Sequence, residues 1–251
     1  MPNKVIRNRL FMDIETSPNV VLSWDTGYNL TIHHANILRE RAIICICWKW
    51  EGEKKVHSLS WDKNQCDKKM LQDFIEVMNS ADEIVAHNGA SFDLKWISTR
   101  CLFHRIDSFP SYVNVDTLKQ AKKYFRFNSN ALDYITKYLG LKGKDKTNFD
   151  MWKQILINKD AKTLKAMVKY CSNDVVQLEQ MFNIFKKYTD VKTNFASHIS
   201  SCPECGSGNV HVRSYKITAQ GHQKVQFQCQ EVGCGKYHTI AGSRFTKGTS
   251  I

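Results

Sequence analysis

Phe11-Met12-Asp13-Ile14-Glu15-Thr16 is the stretch on which the interpretation of the whole chain depends. The stretch is predicted to be a β-strand, and side chains on a strand alternate between its faces, so Asp13 and Glu15 share one face. Two neighbouring carboxylates repel each other, and at neutral pH such a pair is stable mainly with a cation between them. A divalent cation with oxygen ligands is the natural candidate. The alternative is a solvated strand end with two surface acids, and the rest of the chain must decide.

The composition is that of a globular protein, because 42% of the 251 residues are hydrophobic and 11% are aromatic. This length allows one large domain, or a medium-sized domain with a small appendage. The net charge of +12 favours polyanionic partners such as nucleic acid, although solubility alone explains many basic proteins. We find no apolar run long enough for a signal peptide or a membrane span. We therefore expect no membrane association and a cytoplasmic location, or a nuclear one if the source has a nucleus.

Local patterns predict a mixed α/β sheet with helices packed on both faces. The first strand is followed by two β-prone segments joined by a tight turn, which indicates an antiparallel unit. Strands then alternate with helices, an arrangement typical of α/β domains. Segment 17–41 has weak periodicity and is predicted to be a loop with a short helix. The later strands are predicted at 42–50, 55–61, 83–89 and 112–115, and the helices at 67–80, 91–102, 118–124, 131–139, 149–157 and 161–188.

Two further acids occupy suggestive positions. Asp93 lies where a strand gives way to a helix, at the carboxyl end of the strand, where ligands bind in open α/β sheets. Its alternative role is to cap the helix start. Asp174 lies within the apolar stripe of the long helix, and a core-facing acid is costly unless it is paired, hydrogen-bonded or bound to metal. Tyr170 is one helical turn earlier on the same side, and hydrogen bonds of this pair to their neighbours are the alternative.

Three segments together resemble the exonuclease motifs of the DEDD superfamily, and they occur in the family's order. They are most similar to the proofreading domains of family B DNA polymerases. Ser17-Pro18-Asn19 and the flanking segment also resemble predicted stand-alone exonucleases of bacteriophages, which implies the cytoplasm of a bacterium or of a phage-infected host. The resemblance covers residues 1–190, and the spacing of the tyrosine and the aspartate in the third motif matches the tyrosine subclass. The three segments are Phe11-Met12-Asp13-Ile14-Glu15-Thr16, Asn88-Gly89-Ala90-Ser91-Phe92-Asp93 and Tyr170-Cys171-Ser172-Asn173-Asp174-Val175-Val176-Gln177-Leu178.

The resemblance implies an RNase H-like fold, a mixed five-stranded sheet flanked by helices, and hydrolysis assisted by two metal ions. An all-oxygen site fits Mg²⁺ or Mn²⁺. In the implied assignment Asp13 bridges both ions, Glu15 and Asp174 hold the ion that activates water, and Asp93 holds the other, directly or through water. Tyr170 orients the attacking water.

Four residues are predicted to contact substrate. By resemblance, Asn88 and Phe92 contact the terminal nucleotide, and support of the turn and the core is their alternative role. Lys144 and Lys146 belong to a basic loop that could grip phosphates, or they lie on a solvated surface.

Four of the nine cysteines form two close pairs near the C-terminus, a pattern typical of a structural zinc site. The ligands are Cys202, Cys205, Cys229 and Cys234, with two strands predicted between the pairs, at 210–215 and 224–228. The second pair has a wider gap than usual. His222 and His238 are alternative ligands that the complete cysteine set disfavours. We expect one Zn²⁺ and a zinc ribbon over 201–251, joined by a linker at 191–200 to the domain of residues 1–190.

The remaining cysteines lie scattered through apolar or helical segments. Because nothing indicates secretion, we interpret them as buried, unreactive thiols rather than disulfide partners. They are Cys45, Cys47, Cys66, Cys101 and Cys171.

The ribbon carries basic and aromatic residues that resemble a surface for single-stranded nucleic acid. Docking to a replication or recombination protein is the rival interpretation. The residues of this predicted surface are Arg213, Tyr215, Lys216, Lys224, Phe227, Lys236, Tyr237, Arg244 and Lys247.

These features together predict a metal-dependent exonuclease acting on DNA, preferentially single-stranded, and the 3′–5′ polarity is implied by the family resemblance alone. RNA is the alternative substrate, since nothing identifies a reader of the 2′-hydroxyl. An RNA or structure-specific nuclease, and a nucleic-acid-binding or adaptor protein with the same fold but without the chemistry, are the alternative functions. The sequence leaves the oligomeric state open.

Overall fold

The structure, a computed structural model, describes residues 8–27, 29–107, 112–142 and 148–248. Its strands are β1 (Arg9–Thr16), β2 (Val20–Val21), β3 (Ile37–Arg39), β4 (Ile43–Trp50), β5 (His57–Ser60), β6 (Glu83–Ala86), β7 (Val113–Asp116), β8 (Val210–Ile217), β9 (Gln223–Cys229) and β10 (Tyr237–Ala241). Its helices are α1 (Lys68–Asn79), α2 (Asp93–His104), α3 (Thr117–Tyr124), α4 (Leu132–Tyr138), α5 (Phe149–Leu156), α6 (Ala161–Phe185) and α7 (Gly242–Gly248).

The main sheet has five strands in the order β5-β4-β1-β6-β7. Strand β1 lies in the centre, antiparallel to β4 and parallel to β6, while β4–β5 is antiparallel and β6–β7 parallel. The predicted mixed sheet with an antiparallel beginning is confirmed. Segment 17–41 adds the small antiparallel pair β2–β3 and a single 3₁₀ turn, His34–Asn36.

Side chains of β1 divide between two hydrophobic cores on opposite faces of the sheet. Leu10, Met12 and Ile14 pack into the core that contains α1 and α2. Phe11 packs into the core that contains α6, where its ring meets the Phe182 ring edge-on with centroids 5.4 Å apart. Strand alternation therefore directs the acids that follow Phe11 toward α6.

The C-terminal part is a three-stranded antiparallel sheet in the order β10-β9-β8. The sequence predicted two of these strands and missed β10. The rings of Phe227 on β9 and His238 on β10 stack with centroids 5.3 Å apart, so Phe227 is buried and the prediction that it lies on the surface is wrong.

Polar contacts anchor this sheet to the main domain. The Lys236 ammonium donates to the carbonyls of Lys186, at 2.7 Å, and Thr189, just beyond the end of α6, where a cation is favoured by the helix dipole. Lys236 is only 6% exposed, so its predicted place on a nucleic-acid surface is also wrong. Phe195, in the predicted linker, is buried, and its N–H donates to the Pro203 carbonyl at 2.9 Å.

A search of the described helices for one long and apolar enough to cross a membrane finds none.

Candidate functional site

Three carboxylates meet where β1 packs against α6. Asp13, Glu15 and Asp174 each offer an oxygen, and these oxygens all lie within 4.8 Å of one another. Asp13 and Glu15 are partly exposed on β1, whereas Asp174 is 2% exposed and lies among the buried residues of α6. Like charges this close are unfavourable unless a cation or proton lies between them. Of the four predicted carboxylates, the structure places these three in one group.

Asp93 lies beside this group rather than in it. Its Oδ1 accepts a hydrogen bond from the N–H of Ile14, between the two β1 acids, at 3.2 Å. Burial, with a smaller contribution from the charge of Asp116, raises the pKa of the Asp93 carboxyl to about 7, although hydrogen bonds from the backbone N–H groups of Asp93 and Ile14 lower it. Burial makes this carboxyl difficult to ionise, and a nearby cation would stabilise its charged form.

The turn that precedes Asp93 is held in an unusual backbone conformation. Asn88 has φ +69°, in the left-handed region that asparagine tolerates better than most residues. At Gly89, a Cβ would lie 2.5 Å from the Ala86 Cβ, so the chain at this position requires glycine. The carbonyl of Asn88 accepts the N–H of Phe92 at 3.0 Å and leads the chain into α2.

Asp116 clamps this turn from the neighbouring strand β7. Its carboxylate accepts the backbone N–H groups of Asn88, at 3.1 Å, and Ala90, at 3.3 Å. The same carboxylate accepts the N–H groups of Leu118 and Lys119 and so caps α3. Sequence reasoning missed the first role, because the contact joins segments 28 residues apart.

The remaining predicted site residues lie around the carboxylates. Tyr170 is buried on α6, one turn before Asp174. Phe92 is half-buried and packs against the α1/α2 core, which fits its alternative, structural role, and the positive φ of Asn88 fits support of the turn. Lys144 and Lys146 lie outside the described residues.

Residues 10–186, more than half of the chain, match the sequence profile of the RNase H superfamily. The chain belongs to the RNase H superfamily. Among solved structures, the family B DNA polymerase of the hyperthermophilic archaeon Pyrobaculum calidifontis is similar to it, with a TM-score of 0.51 and 14% sequence identity. The similarity covers 73% of this chain and 26% of the polymerase, so the chain spans about a quarter of the polymerase's length. No curated protein matches the chain.

These comparisons confirm the predicted RNase H-like fold. At 14% identity, the polymerase likeness establishes shared architecture and nothing finer. Membership of the tyrosine subclass therefore stays a prediction.

Three thiols lie together beneath the carboxylates of this RNase H-like domain. The sulfurs of Cys45, Cys47 and Cys171 lie within 4.8 Å of one another, and all three residues are fully buried. The Cys171 thiol lies 3.4 Å from the Asp13 backbone carbonyl and 3.5 Å from its Oδ2. Burial raises the pKa of the Cys171 thiol. The burial of these thiols was predicted, but their grouping was not, because they come from β4 and from α6.

The four C-terminal cysteines also converge, and we call them the four-cysteine group. Their sulfurs lie within 4.8 Å of one another, with Cys202 Sγ 3.8 Å from Cys234 Sγ and Cys205 Sγ 3.6 Å from Cys229 Sγ. Four thiolates bound to a tetrahedral zinc ion, each at about 2.3 Å, would have sulfurs about 3.8 Å apart. The observed separations therefore fit metal ligands, and they are too long for disulfide bonds.

Neither alternative histidine belongs to the four-cysteine group. His238 Nε2 lies 3.2 Å from the Ser200 carbonyl, and burial lowers the pKa of His238. His222 is exposed on the turn between β8 and β9.

Proposed function

We propose that this chain is a metal-dependent 3′–5′ exonuclease that hydrolyses phosphodiester bonds of DNA, preferentially single-stranded. One observation carries the proposal. Carboxylate oxygens of Asp13 and Glu15 on β1 and of Asp174 on α6 form one group, and a fourth carboxyl, the buried Asp93, accepts a hydrogen bond from the backbone of β1. Membership of the RNase H superfamily supports a nuclease-type function for this group.

The donor set fits divalent ions. Asp13, Glu15 and Asp174 supply only oxygen ligands, which suits Mg²⁺ or Mn²⁺. We assign Asp93, whose Oδ1 accepts the Ile14 N–H of the same strand, as the fourth carboxylate of the set. When bound, two such ions would activate a water molecule and stabilise the leaving oxygen.

The side chains of this protein would position the metal ions and the attacking water. Asp13 and Glu15 project from the rigid central strand, and Asp174 from a helix packed directly on it, so their relative positions are fixed by the core. We assign Tyr170 to orienting the attacking water rather than to deprotonating it, because phenols, with a reference pKa of about 10, are poor bases at neutral pH. Asn88, Phe92, Lys144 and Lys146 remain proposed substrate contacts.

We further propose that residues 201–251 form a zinc ribbon holding one Zn²⁺ through the four-cysteine group, with residues 1–190 as the exonuclease domain and 191–200 as linker. The outward side chains of Arg213, Lys216 and Lys224 are exposed, which supports binding to a phosphate backbone. The rival role, docking to a replication or recombination protein, is favoured by the exposed Tyr215 and Ile217 at the end of β8.

The test replaces one carboxylate. Asp13→Ala should reduce Mg²⁺- or Mn²⁺-dependent release of mononucleotides by at least about a hundredfold, the scale of losing one preorganised electrostatic group. The matched control is Asp73→Ala, which removes an exposed acid on α1, on the other side of the sheet.

The assay compares 3′- and 5′-labelled DNA and RNA, with and without the metal ions. The proposal is supported if labelled mononucleotides appear first from the 3′-labelled substrate, and if only the wild type and the control variant release them. Equal activity of Asp13→Ala would refute the site assignment, and release first from the 5′ label would refute the polarity.

A further inference from the structure

A cavity of about 300 Å³ opens at the edge of the main sheet, beside the candidate site and separate from the carboxylate group. It lies between the edge strand β7, helix α3 and the segment just after α6; we call it the edge pocket. Ala90, in the turn before Asp93, and Asp116, which clamps that turn from β7, form one wall. This volume is at the lower end of small-molecule sites.

Two amide side chains in the edge pocket have polar atoms without a partner. The Oδ1 of Asn114 and the Oε1 of Gln120 are buried and accept no hydrogen bond from any described residue, and Gln120 is only 5% exposed. Buried polar groups in folded proteins are almost always hydrogen-bonded. Asn130 Oδ1 and Gln177 Oε1 are likewise buried without a partner among the described residues, but Asn114 and Gln120 line one cavity, which points to a ligand that supplies the partners there.

A primary amide offers a donor and an acceptor side by side. That pair matches the edge of a nucleobase, as when asparagine or glutamine bonds both N6 and N7 of adenine. Two amides from adjacent elements, Asn114 on β7 and Gln120 on α3, therefore fit a base better than they fit an inorganic anion.

The mouth of the edge pocket is basic and contains an aromatic ring. Lys119, Lys123 and Lys192 line it with exposed side chains, and the ring of Tyr124 lies 4.6 Å from the Lys123 ammonium. Lys123 pairs with Asp190, but the two side chains are 63% and 68% exposed, and such surface pairs are weak. A phosphate could therefore replace Asp190 as the partner of Lys123.

Of the two acids that line the edge pocket, Asp190 is the one that a phosphate would replace, and Asp116 does not oppose an anionic ligand. The Asp116 carboxylate already accepts four backbone N–H groups, which offset its charge. An amide pair, an aromatic ring and a basic mouth are together the chemistry of a nucleotide site.

We propose that the edge pocket binds a nucleotide, with its base against the amides of Asn114 and Gln120 and its phosphate at the lysines. The nucleotide is either a free nucleoside 5′-monophosphate or one unit of a bound strand. The proposal concerns binding alone, and it can fail while the cleavage test succeeds.

The experiment measures binding calorimetrically to the full zinc-loaded chain, in buffer without Mg²⁺ or Mn²⁺ so that no strand is cut. The probes are 2′-deoxyadenosine 5′-monophosphate, deoxyadenosine and a ten-residue deoxyadenosine oligonucleotide. Gln120→Leu keeps the side-chain size and removes the amide, and Gln72→Leu, on the exposed face of α1, is the matched control.

Gln120→Leu should weaken binding of the mononucleotide or the oligonucleotide at least tenfold, while Gln72→Leu should leave it unchanged. Deoxyadenosine should bind more weakly than its monophosphate if the free nucleotide is the ligand. A loss seen with the oligonucleotide alone identifies a unit of the strand instead. If Gln120→Leu does not fold, Asn114→Val on the edge strand tests the same amide pair.

Wild-type protein that binds none of the probes, or a Gln120→Leu variant that binds all of them like wild type, would overturn the proposal.

Discussion

The contact between Arg9 and Glu204 gives a quantitative prediction about how the C-terminal sheet is held. Arg9, at the start of β1, is 2% exposed, and its Nε lies 2.5 Å from a carboxylate oxygen of Glu83. Its Nη1 lies 2.9 Å from Glu204, beside the first cysteine pair, and 3.1 Å from Glu51. Burial lowers the pKa of Arg9, but the three glutamates outweigh it and the net shift is upward. The guanidinium is therefore a buried charge that depends on these acids.

Glu204→Gln keeps the shape of the side chain and removes its charge. A hydrogen bond to a charged group contributes about 1.5–3 kcal/mol, and removing one partner of a buried ion pair costs about 3–5 kcal/mol when the other charge is left uncompensated. Because Glu83 and Glu51 still face Arg9, we expect the lower figure, about 2 kcal/mol. For a chain of this size that corresponds to a melting temperature lower by about 4–8 °C.

The change in melting temperature is measured by thermal unfolding, monitored by circular dichroism. Amide hydrogen exchange reports which part of the protein opens. Glu231→Gln is the matched control, because Glu231 is exposed beside the second cysteine pair and its carboxylate bonds only to the Ser207 hydroxyl among the contacts described. Faster exchange in β8–β10 should accompany the loss of stability in Glu204→Gln. If Glu204→Gln melts with the control and exchanges like wild type, the ion pair does not hold the sheet, and the reasoning is refuted.

Two further predictions concern the turn and the four-cysteine group. Gly89→Ala places a methyl group against Ala86 and should displace the turn before Asp93, so we expect the cleavage rate to fall at least tenfold. The control is Gly208→Ala, where a Cβ meets open space, and its cleavage rate should stay that of the wild type. Equal cleavage rates for the two variants would contradict the close approach of Gly89 to Ala86. Removing zinc with a chelator should unfold β8–β10 and expose four additional reactive thiols in a thiol titration, because so small a sheet cannot fold on its own core; unchanged thiol reactivity would count against a structural metal.

Local patterns predicted the elements that bury one face. The apolar spacing of α1 and α6 gave their bounds within a few residues, because each helix buries one stripe against the sheet. The third strand of the C-terminal sheet, β10, escaped prediction since its five residues show only partial burial and depend on pairing with β9.

Contacts between distant segments could not be predicted in this way. Lysine is ordinarily a surface residue. Only the fold brings the Lys236 side chain to the carbonyls beyond α6. Likewise, no local pattern joins Cys45 and Cys47 on β4 to Cys171 on α6.

The two elements that carry the grouped carboxylates are also the two that hold the C-terminal sheet. Strand β1 bears Asp13 and, four residues earlier, Arg9, which is about 13 Å along an extended strand. Helix α6 bears Asp174, and Lys186, whose carbonyl accepts the Lys236 ammonium, follows about 18 Å farther along the helix axis. The sheet is therefore attached to the same two elements that carry the carboxylates, at contacts about 13–18 Å along those elements from the carboxylate-bearing residues. If it contacts a strand, it does so several nucleotides from the scissile bond, so its removal should weaken affinity more than it slows the chemical step.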